Sequence, residues 1–268
     1  MADYQLGVIG AGNMAEALLR GAIAANVIDH NAVVASDPVF DRRQLFTRDL
    51  GVTTMADNAA PAGCPRLLLA VKPQMMAEVL DGIAEAVSPA ATVISIAAGI
   101  RTEFIFERLH QRGRIVRVMP NTPMLVGAGI SALCKGPGAT DADLAWAERL
   151  FAACGRTVRV EEPMIDAVTA VSGSGPAYFF YLIEAMAAAG VAEGLDEDVA
   201  LQLAVETCRG AGELLAKSGE APQVLRAKVT SPGGTTQAAI ESMTAAGVKE
   251  ALVAAVRRAA ERSRELGK

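Results

Sequence analysis

The feature that most constrains this chain is a glycine-rich turn, Gly10–Ala15, placed between two apolar segments. The preceding run Gln5–Ile9 predicts a strand and the following Met14–Ala25 predicts a helix, so the pattern G-x-G-x-x-A lies at a strand-to-helix turn. There Gly10 permits a tight turn, Gly12 lets the backbone approach a pyrophosphate, and the small last residue lets the helix pack closely on the strand. The turn therefore predicts a dinucleotide-binding domain of the α/β class.

Strands and helices alternate along the rest of the first 162 residues. Such alternation implies parallel strands joined by crossover helices. The further predicted strands are Ala32–Ala35, Arg66–Val71, Thr92–Ile96, Arg114–Val118 and Thr157–Val160, and the helices are Asp41–Leu50, Gln74–Val87, Thr102–Leu109 and Ala142–Cys154.

After Glu162 the sequence predicts helices only, so we expect a domain boundary between residues 1–162 and an all-α domain of residues 163–268. This half carries so much small apolar surface that we expect a second subunit to cover it, although a compact monomeric bundle is the alternative. The predicted helices are Tyr178–Ala189, Asp196–Lys217, Ala221–Lys228, Thr236–Ala246 and Val248–Leu266.

The charge balance argues against a protein that neutralises nucleic-acid phosphates. The 25 basic and 30 acidic residues are interspersed and give a net charge of −5, and only three Tyr, seven Phe and one Trp are available for base stacking. We therefore expect no nucleic-acid partner.

Hydropathy and cysteine spacing favour a cytoplasmic chain. Apolar residues make up 51% of the sequence, but no uninterrupted stretch of about 18 apolar residues predicts a membrane span, and no export signal is visible at the N-terminus. The four cysteines, Cys64, Cys134, Cys154 and Cys208, lie far apart without the spacing of zinc ligands. We expect reduced, mostly buried thiols, no metal and no membrane partner.

The end of the second predicted strand bears on the choice of coenzyme, because an acid there binds the ribose 2′-hydroxyl of NAD whereas Ser with Arg accommodates a 2′-phosphate. Ser36 together with Arg42 and Arg43 favours the phosphate of NADP. Asp37 would repel that phosphate if it faced the ribose, or it could begin a turn with Pro38 and leave the arginines solvated. The residues alone leave both readings open.

Three further loops follow predicted strands and so lie at the carboxyl edge of the sheet, where open α/β folds bind ligands. Ala70–Pro73 closes one strand, and the small residues Ala97 and Ala98 in the loop Ser95–Gly99 leave room for a nicotinamide ring. The polar groups of Asn121–Pro123 could line the same cleft. Each loop could instead be ordinary turn chemistry.

Two loops in the helical half combine hydroxyl residues with glycine immediately before a predicted helix. Ser172–Pro176 ends on a proline typical of a first helical turn and precedes the predicted helix Tyr178–Ala189. Thr230–Thr236 leads into the predicted helix Thr236–Ala246. Backbone N–H groups and hydroxyls at a helix N-terminus form an anion site without a charged side chain. Ordinary helix capping is the alternative for both loops.

The chain holds two histidines, His30 and His110, and neither lies in a motif. A histidine acid or base is therefore not expected, which disfavours alcohol and hydroxy-acid dehydrogenases that use one. Neither a Ser-His-Asp set nor a metal cluster is visible. What remains is a hydride transfer that needs little acid–base help, such as reduction of a C=N bond whose nitrogen arrives protonated.

Over essentially its full length the sequence resembles the pyrroline-5-carboxylate reductase family. The last two of the segments that carry the resemblance distinguish this family from other two-domain reductases, including 6-phosphogluconate dehydrogenase-like enzymes. The segments are Gly7–Met14, Ala70–Pro73, Arg117–Pro123, Ser172–Tyr178 and Thr230–Thr236.

The resemblance implies a Rossmann-type NAD(P)-binding domain followed by an all-α oligomerisation domain. It further implies a homodimer, with dimers assembling into a decamer, and the NAD(P)H-dependent reduction of 1-pyrroline-5-carboxylate to L-proline, the last step of proline biosynthesis. NADP(H) is the expected cofactor and NAD(H) the alternative.

The resemblance also implies the site residues. Thr236 would bond the ring nitrogen and relay its proton. The remaining substrate-binding residues would be Ser231, Gly233, Gly234, Thr235, Asn121 and Ser174, and the cofactor-binding residues Gly10, Gly12, Asn13, Met14, Ser36, Asn58, Ala70, Val71, Lys72, Pro73, Ala97 and Ala98.

Three rival functions stay open at this point. A reductase of another cyclic imine, such as piperideine carboxylate, would use the same scaffold. A non-catalytic NADP-binding sensor would keep the Gly10–Ala15 turn but would not need Thr230–Thr236. A purely structural helical oligomer would explain the second half of the chain and leave the first half unexplained.

Overall fold

The computed structural model describes residues 4–267 and divides the chain into two compact units. The first unit runs to Gly173 and takes up the chain again from Ala259, and the second is Ser174–Arg258. The boundary predicted after residue 162 lies within the first unit, upstream of this division.

One eight-stranded sheet forms the centre of the first unit, in the order β3-β2-β1-β4-β5-β6-β7-β8. The strands β1 to β6 are parallel and follow the order of the Rossmann fold, while β7 runs antiparallel to β6 and β8 runs parallel to β7. The strands are β1 Leu6–Ile9, β2 Val33–Ser36, β3 Thr53–Met55, β4 Arg66–Leu69, β5 Thr92–Ser95, β6 Arg114–Met119, β7 Gly129–Lys135 and β8 Gly155–Arg159.

Helices α1 to α7 lie in the first unit, α8 to α11 in the second, and α12 begins in the second and ends in the first. They are α1 Asn13–Ala24, α2 Phe40–Leu50, α3 Ala59–Ala62, α4 Met76–Ile83, α5 Thr102–Arg108, α6 Asp141–Ala152, α7 Ile165–Val168, α8 Gly175–Ala192, α9 Glu197–Ser218, α10 Pro222–Lys228, α11 Thr235–Ala245 and α12 Val248–Leu266. Short 3-10 turns lie at His30–Ala32, Pro73–Met75, Thr122–Val126 and Glu162–Met164, and a π-helical segment at Thr169–Gly173 precedes α8.

Every predicted strand is confirmed to within two residues at each end, and the largest differences are that β4 ends at Leu69 and β8 begins at Gly155. The sequence pattern does not predict β3 or β7. The parallel pairing that the alternation predicts is confirmed for β1 to β6, whereas β7, which the pattern does not predict, pairs antiparallel with β6. The helix predicted at residues 74–87 is shorter, since a 3-10 turn precedes α4 and α4 ends at Ile83.

The core consists of two apolar layers, one on each face of the sheet. Leu6 and Val8 pack with α1, α2 and α6 on one face, around the fully buried Phe46. Leu67 and Leu69 pack with α4 and α5 on the other. Since successive strand residues point to opposite faces, near-continuous apolar strands are what a sheet covered on both sides requires. Each fully buried side chain of this kind stabilises the fold by about 1.5–3 kcal/mol.

The second unit exposes its large apolar side chains in the single chain. Phe179, Phe180 and Tyr181 on α8 are 57%, 59% and 75% exposed, and the buried apolar residues described in this unit are Ala200 and Ala204. An apolar surface of this extent marks an interaction site in a folded protein. The exposure favours coverage by another subunit over a bundle with a core of its own.

One helical run, Glu162–Ala192, is long and apolar enough to cross a membrane by length and composition. It includes acidic residues, so it is not an uninterrupted apolar stretch. Helices of proteins that never enter a bilayer satisfy the same test, which makes it weak evidence. The absence of a membrane partner stays a prediction.

A buried carboxylate ties the N-terminus of α6 to β5 and β6. Asp143, 5% exposed, accepts hydrogen bonds from Arg114 Nε at 2.9 Å, from Thr140 N at 2.9 Å and from the hydroxyl groups of Thr92 and Thr140. Burial by itself raises the pKa of Asp143, but hydrogen bonds from Arg114 and the two threonines outweigh burial and hold that pKa well below its ordinary value. The ionised form of this side chain therefore stabilises the fold.

We predict that Asp143→Asn lowers the free energy of unfolding by about 2–4 kcal/mol at neutral pH, because Arg114 loses its buried partner. The wild-type advantage should be full above the unfolded-state pKa of about 3.9 and should disappear as the pH falls toward the lowered folded-state value. Urea denaturation of both proteins at several pH values measures it. Asp141→Asn is the matched control, since Asp141 lies in the same first turn of α6 and has an exposed carboxylate paired to Lys135. This substitution should leave stability nearly unchanged. Equal losses in the two variants would contradict the assignment.

Candidate active site

Backbone hydrogen bonds continue beyond the ends of the central strands and hold their following loops together. Gly10 N donates to Ser36 O at 2.8 Å, and Ala70 N donates to Ile9 O at 2.8 Å. The loops after β2, β1 and β4 therefore begin side by side at the carboxyl edge of the sheet. This is the point where the strand order reverses, which is where doubly wound folds bind nucleotides.

The turn after β1 has the geometry that a pyrophosphate requires. Gly10 has φ +97°, and a Cβ there would lie 2.7 Å from Ala70 O. A Cβ at Gly12, the residue before α1, would meet nothing within 4 Å, so its surroundings are open. Gly12 has no side chain to cap α1, which leaves the first helical N–H groups, those of Asn13 and Met14, directed at the space in front of the helix. The residues present therefore fit the phosphates of a dinucleotide.

A carboxylate and a guanidinium bind the two backbone polar groups of one residue of the turn, Ala11. Asp37 Oδ2 accepts from Ala11 N at 2.8 Å, and Arg42 Nε donates to Ala11 O at 2.6 Å. The other carboxylate oxygen of Asp37 accepts from Val39 N at 2.9 Å. This bond forms a turn through Pro38, which is one of the two arrangements that the sequence leaves open for Asp37. Asp37 is thus bonded within the protein. We call Asp37, Ala11 and Arg42 the turn clamp.

An ion pair supports the turn clamp from α1. Arg42 Nη2 donates to Glu16 Oε2 at 2.8 Å, and both side chains are about three-quarters buried. Burial alone raises the pKa of Glu16, but hydrogen bonds from Arg42 and Arg20 outweigh burial and place that pKa below its ordinary value. Glu16 therefore stays charged and keeps the Arg42 guanidinium oriented toward the turn.

Three other residues lie near the end of β2: the buried Ser36, its half-buried partner Asn58, and the half-buried cation Arg43. Ser36 is 1% exposed, and its hydroxyl donates to Asn58 Oδ1 at 2.7 Å, so in this structure it fixes a neighbouring loop and does not face solvent. Arg43 Nη1 donates to Asp37 O at 2.6 Å and to Pro38 O at 2.9 Å. Cofactor contacts by Ser36 and Asn58 stay predictions.

The remaining predicted cofactor loops follow β4 and β5 at the same edge. In the first of these loops Lys72 is exposed, while Ala70, Val71 and Pro73 are half-buried. In the second, Ala97 is 5% exposed and its N–H donates to Ser95 Oγ at 3.3 Å, with Ala98 half-buried beside it. The loop after β6 holds Asn121, whose Oδ1 accepts from Ile130 N at 2.9 Å and so joins the loop to β7. These loops share one edge of the first unit.

The hydroxyl-rich loop Thr230–Thr236 lies in the second unit and leads into α11. Gly233 has φ +71°, which favours glycine, and Gly234 is the N-cap residue. Ala238 N donates to Gly234 O at 3.2 Å, which is the first bond of the helix, so the N–H groups of Thr235 and Thr236 precede it. The loop thus directs N–H groups and hydroxyls into the space before α11, where Ser231 and Thr235 are exposed and Thr236 is half-buried.

Neither loop is capped by the side chain of its N-cap residue, although in the loop before α11 the N–H of Gly233 donates to Gln237 Oε1 at 2.8 Å. The N-cap residues Gly234 of α11 and Ser174 of α8 make no side-chain capping bond. Pro176 lies in the first turn of α8, as the sequence predicts. Uncapped N–H groups favour the alternative reading, in which the loop before α11 receives an anion.

The turn clamp is the part of the site that sequence reasoning missed. Its members are separated by about thirty positions or fewer along the chain, yet no local spacing pattern links a carboxylate on one loop to a backbone N–H on another. The only sequence signal is the acid after β2, Asp37. An acid at this place usually binds the ribose 2′-hydroxyl, so its position in the sequence does not indicate a bond to the Ala11 backbone.

We predict that Arg42→Ala weakens NADPH binding about tenfold, since the Ala11 carbonyl and Glu16 lose the group that holds them and the turn becomes mobile. The change in NADPH fluorescence on titration measures the dissociation constant. Arg48→Ala, on the same helix with an exposed side chain paired to Asp49, is the control and should bind as the wild type does. Unchanged binding in Arg42→Ala would remove the clamp from cofactor recognition.

Comparison with known proteins identifies two regions of the chain. A family model described as pyrroline-5-carboxylate reductase dimerisation matches residues 162–266. A second, described as NADP oxidoreductase, coenzyme F420-dependent, matches residues 5–99. The pyrroline-5-carboxylate reductase of Methanosarcina acetivorans is 41% identical over 269 residues and is matched across 100% of both chains. That of Synechocystis sp. is 42% identical over 267 residues, or 99% of both chains.

Solved structures agree with these relatives. A pyrroline-5-carboxylate reductase from Coxiella burnetii superposes with a TM-score of 0.92 at 34% identity and covers 99% of both chains. The pyrroline carboxylate reductase of Plasmodium falciparum, solved with NADP bound, superposes with a TM-score of 0.88 at 31% identity over 100% of both chains. Similarity of this extent over the whole length shows that the chain belongs to the pyrroline-5-carboxylate reductase family.

Proposed function

We propose that this chain reduces the ring C=N bond of 1-pyrroline-5-carboxylate with NAD(P)H to give L-proline, the last step of proline biosynthesis. The observation that carries the proposal is the uncapped N-terminus of α11 behind the hydroxyl-rich loop Thr230–Thr236. A non-catalytic NADP-binding protein has no use for such a loop. Relatives that match this chain along its whole length are named for the same reaction.

The open turn after β1 supports a nicotinamide cofactor whose pyrophosphate lies before α1. NADPH or NADH, when bound, supplies the hydride. The N–H groups of Asn13 and Met14 would hold the phosphates, and the small residues Ala97 and Ala98 would border the nicotinamide ring. No charged side chain is needed at that ring, since the protein's task there is to orient the cofactor against the imine carbon.

The state of Asp37 supports NADPH as the preferred coenzyme. Both of its carboxylate oxygens accept backbone N–H groups, so the carboxylate is held within the protein by the Ala11 turn and by its own loop. Arg43 uses one of its nitrogens to bond two carbonyl groups and keeps further N–H donors for a 2′-phosphate. NADH would bind without this contact and would be the poorer substrate.

The substrate carries a carboxylate and a protonated ring nitrogen, which largely neutralise each other. A loop of N–H dipoles and hydroxyls suffices for such a molecule, whereas a buried arginine would add an uncompensated charge. We place the carboxylate on the loop Ser231–Thr235, including Gly233 and Gly234, with Asn121 and Ser174 as further polar contacts. Thr236, in the first turn of α11, would donate to or accept from the ring nitrogen.

The proposed reaction needs no proton donor at the moment of hydride transfer. The imine nitrogen arrives protonated, so hydride addition at C5 needs no proton at that moment, and Thr236 keeps the N–H oriented while C5 accepts the hydride. The described residues of the loop Ser231–Thr236 contain no histidine or carboxylate, which is consistent with a reaction whose rate depends on positioning.

The association state follows from the exposed face of α8. We propose that two chains cover this face in a homodimer and that dimers assemble further into a decamer. Light scattering on purified protein counts the chains in each particle. Ten chains support the full proposal, two support the dimer alone, and a stable monomer at micromolar concentration would contradict both.

We predict rapid loss of the near-ultraviolet absorbance of NADPH when purified protein meets 1-pyrroline-5-carboxylate, with kcat/KM at least about tenfold higher for NADPH than for NADH. Arg43→Ala should reduce that ratio toward unity without changing the rate with NADH. A competing cyclic imine, piperideine carboxylate, tests specificity in the same assay. Folded protein that binds NADPH but oxidises it with neither imine would contradict the proposed function.

We further predict that Thr236→Ala lowers kcat by about ten- to hundredfold, the effect of losing one positioned hydrogen bond in the transition state. Thr236→Ser should restore most of the rate because it keeps the hydroxyl. Thr244→Ala, on the same helix with a hydroxyl bonded to its own backbone, is the control and should retain wild-type turnover. Steady-state kinetics separate kcat from KM in all three, and an unchanged kcat in Thr236→Ala removes this residue from the mechanism.

A further inference from the structure

The loop between β5 and α5, residues 96–101, is held from outside the Rossmann strands by the C-terminal end of the chain. We infer that the last turn of α12 with the residue after it, Ser263–Gly267, positions this loop for the cofactor. The inference rests on the proposed function in one respect, namely that Ala97 and Ala98 border the nicotinamide ring. We call Ser263–Gly267 the C-terminal clasp.

Gly99 of the loop and Gly267 of the clasp let the two backbones approach each other closely. A Cβ at Gly99 would lie 3.2 Å from Leu266 Cβ and 3.3 Å from the Leu266 carbonyl carbon, and one at Gly267 would lie 2.7 Å from Gly99 O. Gly99 also has φ +77°, a conformation that other residues rarely adopt. Both positions are therefore closed to larger residues, and the clasp lies directly against the backbone of the loop.

A buried hydrogen bond anchors the clasp to the body of the first unit. Ser263 is 4% exposed, and its hydroxyl donates to Asp166 Oδ1 of α7 at 2.6 Å. This bond fixes the end of α12 relative to α7. Because Leu266 follows within one helical turn, the anchor also determines where the clasp meets Gly99.

The far end of the same loop is held by the segment just before α7. Glu162 accepts Thr102 N at 2.8 Å, together with the Thr102 hydroxyl and Arg117 Nη1 at 3.1 Å. Arg117 is 4% exposed, so this network is largely buried. Residues 96–101 are consequently fixed at Thr102 by Glu162 and at Gly99 by the clasp, and Ala97 and Ala98 lie just ahead of the clasped glycine.

The clasp is the more separable of the two supports. Glu162 lies close in sequence to the sheet's last strand, whereas the clasp reaches the loop only after the chain has passed through the whole second unit. Without it Gly99 would keep its permissive backbone but lose the surface that restricts it. The loop should then sample orientations in which Ala97 and Ala98 no longer support the ring.

The test removes part of the clasp or displaces it, and leaves the rest of the chain intact. One variant ends after Glu265, and a second carries Gly267→Ala, whose methyl group would push on the Gly99 carbonyl. Arg264→Ala, an exposed side chain in the same turn, is the matched control. Amide hydrogen exchange of residues 96–102 and NADPH affinity by fluorescence are measured in all of them, and neither readout requires the imine.

We expect faster exchange of residues 96–102 by about tenfold and a similar loss of NADPH affinity in the truncated protein, with Gly267→Ala intermediate and Arg264→Ala unchanged. In kinetics with 1-pyrroline-5-carboxylate, KM for NADPH should rise more than kcat falls. Unchanged exchange and NADPH affinity in the folded truncated protein would overturn the inference. If truncation prevents folding, the same two readouts in Gly267→Ala decide it. Absence of imine reduction in the wild type would contradict the proposed function and leave the exchange result to judge the clasp.

Discussion

The contact between Gly10 and the Ala70 carbonyl is the constraint on which the nucleotide end of this protein depends. The parallel pairing of β1 with β4 continues past both strands only because Gly10 has no Cβ, which would lie 2.7 Å from Ala70 O. The same glycine donates its N–H to Ser36 O and so joins β2 to the edge. Sheet continuity and the shape of the phosphate turn therefore have one cause, and a larger residue here would disturb both at once.

The electrostatics of the turn follow from how Asp37 is bonded. A free carboxylate beside a phosphate would oppose binding, but this one accepts two backbone N–H groups, those of Ala11 and Val39, and the Arg42 guanidinium donates to the carbonyl oxygen of Ala11. Glu16 then balances Arg42 on the side of α1. Asp37, Arg42 and Glu16 are thus all bonded to groups of the protein. The electrostatic attraction of this turn for a phosphate therefore comes mainly from the N-terminus of α1.

Much of the central sheet can be predicted from the sequence because β1, β2, β4 and β5 are largely apolar and buried. The run at Arg66–Leu69 is typical of a strand covered on both faces. By contrast, β7 contains Gly129, Ala132 and Lys135, whose β-propensity is weak, and its strand state depends on pairing with β6 and β8. Local pattern cannot indicate a strand that tertiary pairing creates.

The residues of the candidate site also differ in whether the sequence alone predicts their role. Gly10 and Gly12 are predictable because backbone conformation and close approach depend on the residue itself. The direction of Ser36 is not, since it depends on whether Asn58 offers an acceptor. Nor is the role of Asp37, because its partner is a backbone N–H on another loop and every residue at that position has one. What a side chain binds across the sheet edge is a property of the assembled loops.

The small core of the second unit gives a physical reason why the proposed substrate loop, Thr230–Thr236, contains no charged side chain. The described buried apolar residues of this unit are two alanines, while large apolar side chains of α8 remain on the surface of the single chain. A unit with so little core gains its stability by association, so its folding is linked to the concentration of the chain. A charged, desolvated anchor in such a unit would cost stability whenever the substrate is absent. Backbone N–H groups at the start of α11 avoid this cost, because helix formation exposes them in any case.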